Sequence, residues 1–135
     1  MLAKISVSVL LLISGLLGVK DIPQDFAGWK VASPWTIVSG ISYFSAQSES
    51  IVTQCRNSPE SFVEFPPVIH GSHRIFLDGQ LINQFGSETF DSVETFYGAP
   101  VMRCSTLSAG RLVEWKIANY TQYFARVPFF PRLSK

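Results

Sequence analysis

The chain has 135 residues, with 11 Lys and Arg against 10 Asp and Glu for a formal charge of +1. So balanced a charge supplies neither the basic stripe of a nucleic-acid-binding protein nor a funnel for acidic substrates, so no nucleic-acid partner is expected. The hydrophobic content of 47 % is raised by the first residues, and the remainder of the chain is one domain's worth with a modest core.

Lys4 precedes an apolar run from Ile5 to Gly18. At about 14 residues the run suits the roughly 7–15 of a signal-peptide core and falls short of the roughly 20 that a spanning helix needs. It also lacks the polar face of a surface helix, which disfavours a buried N-terminal helix. Residues 1–18 are therefore expected to be a signal-peptide helix cut after Gly18, and residues 19–135 the exported domain, periplasmic or secreted. The small residues Ser14, Gly15 and Gly18 do not form an A-x-A site, so a membrane association arises only if the leader stays uncut. No cysteine ends the run, which leaves a lipid anchor without an acceptor there.

Residues 21–28 carry Pro23 and Gly28 and read as an irregular lead-in. Residues 35–44 are rich in β-branched and aromatic side chains and predict a strand, with Gly40 marking a bend or bulge. A polar stretch at 45–49 comes next, then a second strand at 50–55, a turn at 56–60, and an alternating strand at 61–65 stopped by Pro66 and Pro67. Asp78-Gly79 lies between the apolar runs 73–77 and 80–86, a strong signal for a hairpin with a type I′ turn. Phe76 opposes Ile75 and Leu77, which places that strand inside a packed sheet.

Residues 87–97 fit either a helical turn or a loop. A short strand is expected at 101–105. Residues 111–118 alternate clearly, with Val113, Trp115 and Ile117 on one face and Glu114 and Lys116 on the other. The aromatic tail from Tyr120 ends in Pro128 and Pro131, which bar it from a central strand. No helical period is evident outside the leader. The expectation is an all-β fold, an antiparallel β-sandwich.

Cys55 and Cys104 lie in the exported part, and an oxidising compartment favours a disulfide between them over two free buried thiols. Neither has a second ligand at metal-site spacing. His70 and His73 flank Gly71-Ser72, yet there is no third ligand and no nucleophile elbow surrounds Ser72, so a solvated loop is the expected setting and neither a metal nor a catalytic residue is assigned. Asp78 is accounted for by its turn. Glu88, Asp91 and Glu94 read as a solvated face before they read as calcium ligands.

Two stretches resemble a known family. Residues 72–82, Ser-His-Arg-Ile-Phe-Leu-Asp-Gly-Gln-Leu-Ile with Gly86 behind, look like the strand, turn, strand, glycine element of galactose-binding-like jelly-roll domains. Residues 107–120, from Leu107 through Gly110 and the long strand to Asn119, look like their later strand element. The two occur together in the extracytoplasmic sensor domains of bacterial seven-helix signalling receptors and in sugar-binding domains of glycosidases. The resemblance covers residues 62–131. It implies a jelly roll with a carbohydrate or carboxylate ligand at an edge or on a concave face, and carries no signalling output.

Among the aromatics, Trp29, Trp35 and Tyr43 precede the hairpin, and Trp115 is assigned to the core by its alternation. Tyr97, Tyr120 and Tyr123 stand in polar or terminal settings and are the expected ligand-binding surfaces, with Arg103 or Arg126 as hydrogen-bonding partners. The function expected is therefore a non-enzymatic module, without cofactor, that binds a small polar ligand such as a saccharide. The alternative is an accessory subunit that docks on a larger envelope protein.

Overall fold

Trp115 lies at the middle of a computed structural model that describes residues 28–89, 92–123 and 127–134. The leader at 1–18, most of the lead-in, Asp91 and Arg126 lie outside the described residues. Ten strands are described: β1 (Lys30–Val38), β2 (Ile41–Ser48), β3 (Phe62–Glu64), β4 (Gly71–Leu77), β5 (Gln80–Phe85), β6 (Ser87–Glu88), β7 (Val93–Glu94), β8 (Val101–Arg103), β9 (Val113–Tyr120) and β10 (Arg132–Ser134). Two helices join them, α1 (Ser50–Asn57) and the single turn α2 (Cys104–Leu107). The chain is mostly β, and its strand pairings are antiparallel.

The main sheet runs β1-β2-β9-β4-β5, a smaller one β10-β3-β8, and β6 pairs with β7 alone. Strand alternation sorts the main sheet into two faces. On the inner face, Phe44, Ile117 and His73 form one cross-strand row, and Ala46, Trp115 and Ile75 the next. Val63 and Met102 of the smaller sheet and Ile51, Val52 and Cys55 of α1 join the same buried cluster. The two sheets and α1 therefore share one core, a sandwich-like arrangement.

Five rings surround Trp115: Trp29, Phe44, Phe65, His73 and Phe130, with centroids 6.0–6.2 Å away. Its indole N–H donates to His73 Nδ1 at 2.9 Å, and both residues are fully buried. The two ring planes are 20° apart, an orientation compatible with an in-plane N–H···N bond. Trp29 donates its own N–H to Pro131 O at 2.6 Å, so the start of β1 and the tail are held to the same centre.

Three local readings are corrected. Residues 35–44 are not one bent strand. Ser39 and Gly40 both take positive φ (53° and 79°), which makes a type I′ turn between β1 and β2, and β2 continues through the polar stretch to Ser48 because Ser45 and Ser48 are buried. Residues 50–55 form α1 rather than a strand. Ile51, Val52 and Cys55 fall on one helical face toward the core, and Ser48 Oγ accepts the Ile51 N–H at 3.0 Å, so packing overrides β-branched preference. The strand at 101–105 stops at Arg103, where α2 begins.

The expected hairpin is present. Asp78 and Gly79 take φ of 51° and 83°, and Asp78 Oδ1 accepts the N–H groups of Leu112 and Arg111 at 3.0 and 3.1 Å. Those bonds, Leu112's first, hold the Asp78 carboxyl below its ordinary range. The same turn thus joins β4-β5 to the start of β9.

Cys55 and Cys104 form a disulfide with Cα atoms 4.6 Å apart, joining α1 to α2 across 49 residues of chain. Arg56, next to it, donates to Ser108 O and Gly110 O. Replacing both cysteines with alanine is expected to lower unfolding free energy by about 4 kcal/mol through the loop-closure entropy returned to the unfolded chain. Urea melts of the variant and the parent measure it.

Burial pushes the His73 imidazole from 6.5 down to about 4. The folded chain therefore refuses a proton that the unfolded chain accepts below pH 6.5, so stability present above that pH falls between 6.5 and 4. The slope is about 1.4 kcal/mol per pH unit and the total roughly 3 kcal/mol. Asp78 acts only at lower pH, because its shift begins under 3.8. In His73→Gln, whose amide oxygen can still accept the indole N–H, urea melts at pH 7.5, 5.5 and 4.5 are expected to lack this slope.

Candidate functional site

The alternation that buries Trp115 puts its neighbours on the outer face of the main sheet. Tyr43, Ala118 and Ser72 form one outer row, Ser45, Lys116 and Arg74 the next, and Gln47, Glu114 and Phe76 the third. The β6-β7 hairpin covers one end of this face. Val93 of β7 packs with Ile41 and Ala118, with Tyr43 and Tyr120 beside them. Tyr120 Oη donates to Val93 O at 3.3 Å and accepts from Val93 N at 3.4 Å, and Phe96 N donates to Gly71 O at 2.9 Å.

A groove of about 240 Å³ lies beside this hairpin, lined by Ser33, Tyr43, Ser45, Arg74, Glu88 and Lys116 with parts of Phe44 and Ile117. That is below the roughly 300–1,000 Å³ of drug-sized sites, and suits a single small ring. Arg74 Nη1 donates to Glu88 Oε1 at 3.0 Å, across from β4 to β6. Lys116 Nζ is 4.9 Å from the centre of the Phe76 ring and 3.8 Å from Glu114 Oε1. Burial, assisted by the Glu88 carboxylate and opposed by Arg74, raises the Tyr43 hydroxyl above its usual value and keeps it a donor. The groove thus presents a flat phenol, a hydroxyl and charges of both signs. A second hollow of about 220 Å³ beside the first turn of α1 is lined by Gly28, Lys30, Gln47, Ser48, Glu49, Ser50 and Leu112.

The residues expected to bind ligand are spread over the fold. Tyr97 is 77 % exposed in the loop after β7, its ring edge against His70. Arg103 ends β8 in the smaller sheet, opposite Phe62. Tyr120 ends β9 and holds the hairpin. Tyr123 sits in a 3₁₀ turn, its side chain outside the described residues. Among the described residues, no hydrogen bond or ring contact joins Tyr97, Arg103 and Tyr120.

His73 is in the core, not in a solvated loop. His70 is half-buried beside Tyr97, while Ser72 points to the outer face, away from His73. That stretch therefore assembles neither a nucleophile with its base nor a histidine pair. Glu88 and Glu94 lie on paired strands, Glu88 on Arg74 and Glu94 accepting the Ser87 hydroxyl at 2.8 Å. Arg74 and Lys116 fall within the two family-like stretches, but nothing in the sequence marks them, Glu88 or Ser45 as sharing one site. Their signal is the polar half of the alternation around Trp115 and Ile75.

No family model matches this sequence, and no curated protein or solved structure is significantly similar to it.

Tyr120→Phe removes the hydroxyl that pins β7 to β9. It is expected to cost about 1 kcal/mol and to raise amide exchange at Val93 and Phe96 while leaving β9 protected, read by hydrogen–deuterium exchange.

Proposed function

We propose that this chain is an exported, non-enzymatic module of jelly-roll type that holds a small polar ligand such as a saccharide. The observation that carries the reading is the groove over Tyr43, Ser45, Arg74 and Lys116. A phenol ring offers a stacking surface for the apolar face of a sugar, and hydroxyl, guanidinium, ammonium and carboxylate groups converge on its hydroxyls. Within the groove Arg74 is held in place by Glu88, and Lys116 lies over Phe76 with Glu114 3.8 Å away, so both cations are positioned before a ligand arrives. The disulfide supports an oxidising compartment outside the cytoplasm. No helix among the described residues is long and apolar enough to cross a membrane.

Docking on a larger envelope protein is a second reading, favoured by Ile37 and Val38 near the β1-β2 turn, 56 % and 55 % exposed. Thermal-shift measurements against a saccharide panel separate the two. A sugar at about 100 times its dissociation constant is expected to add about 2.7 kcal/mol and raise the melting temperature by several degrees, an effect that Tyr43→Ala removes. No shift with any sugar would overturn the ligand reading in favour of docking.

A further inference from the structure

We propose that the ligand of this groove is an acidic saccharide, a sugar carrying one carboxylate, and that the carboxylate sits between Arg74 and Lys116. The inference rests on the groove being a ligand site. Arg74 and Lys116 are direct cross-strand partners on β4 and β9 and point to the same face. Two like charges so placed repel each other, and an anion between them turns that repulsion into two attractions.

The donors in the groove also outnumber the acceptors. One guanidinium nitrogen of Arg74 is taken up by Glu88, while its Nε is buried with no acceptor among the described residues. Lys116 Nζ is 3.8 Å from the Glu114 oxygen, beyond hydrogen-bond length, and its side chain is 47 % exposed. Tyr43 holds its proton and adds a further donor. A carboxylate supplies the two acceptor oxygens this set lacks, in the planar shape that a guanidinium edge matches. The second oxygen of Glu88 and the hydroxyl of Ser45 offer acceptors to the sugar hydroxyls.

The balance of charge disfavours a second negative charge. Two cations and Glu88 line the groove, and Glu114 stands 3.8 Å from Lys116, so a doubly charged phosphate would place excess negative charge beside both carboxylates.

Titration calorimetry of the purified chain tests this, with galacturonate, galactose and galactose 6-phosphate as probes. Galacturonate is expected to bind about tenfold tighter than galactose in 20 mM salt, and the advantage to shrink in 500 mM. Lys116→Met, checked for folding by its melting curve, is expected to cut galacturonate affinity about tenfold and galactose affinity less than twofold. Equal affinity for galacturonate and galactose, or a Lys116→Met protein that binds galacturonate as before, overturns the acid preference and leaves the groove a saccharide site. Tighter binding of the phosphate overturns the single-charge assignment. Failure of all three sugars overturns the inference together with the reading beneath it.

Discussion

The indole N–H of Trp115 donating to His73 is the contact on which the other layers of the structure depend. A fully buried tryptophan brings the largest side chain into the core together with a donor that must be satisfied there. His73, one cross-strand row away on β4, satisfies it, and can do so only while neutral, because a protonated imidazole has no lone pair at Nδ1. Burial keeps it neutral. The bond therefore locks β4 to β9 through side chains as well as through their ladder. Around the same indole, Phe44 brings in β2, Phe65 the connection after β3, and Phe130 and Trp29 the two ends of the described chain.

Because side chains alternate along a strand, placing Trp115 inward leaves no choice about its neighbours. Lys116 must face outward, and the residues opposite it on β2 and β4 are Ser45 and Arg74. A slip of one residue in the β4-β9 register would turn Arg74 into the core and His73 out of it, breaking the core bond and the polar groove together. The site is thus the reverse side of the core, and the aromatic cluster that holds the sheet in register also holds Tyr43, Arg74 and Lys116 in theirs.

This coupling explains which features were legible in the sequence. The alternation around Trp115 and the Asp-Gly turn are local signals with one physical meaning each, and both elements formed as expected. Cys55 and Cys104 also paired. The helix at 50–57 was hidden because Ile51, Val52 and Cys55 satisfy a strand by propensity and a helix by spacing, and only contacts with distant segments decide between them. Ser39-Gly40 is a weaker turn signal than Asn-Gly or Asp-Gly, so two strands read as one. The groove was illegible for a different reason. Its groups come from β1, β2, β4, β6 and β9, and only pairing across the sheet brings them together.

The β6-β7 hairpin gives the outer face its asymmetry. A side chain at Gly86, whose φ is 73°, would collide with the backbone of Glu94 and meet Ser72 Cβ at 3.1 Å, so glycine there lets the hairpin lie directly on the sheet. Val93 and the Tyr120 hydroxyl fasten that end, and the open half of the face becomes the groove. The covering also changes the role of the Arg74–Glu88 pair. Exposed on a flat sheet, such a pair would contribute little. Here the Glu88 side chain is only 18 % exposed, so the pair joins β6 to β4 while Arg74 also lines the groove. One ion pair thus serves both as a fastening for the hairpin and as one wall of the site. A ligand that competed for Arg74 would loosen the hairpin, whereas one that takes only the guanidinium's remaining donors leaves the fastening intact.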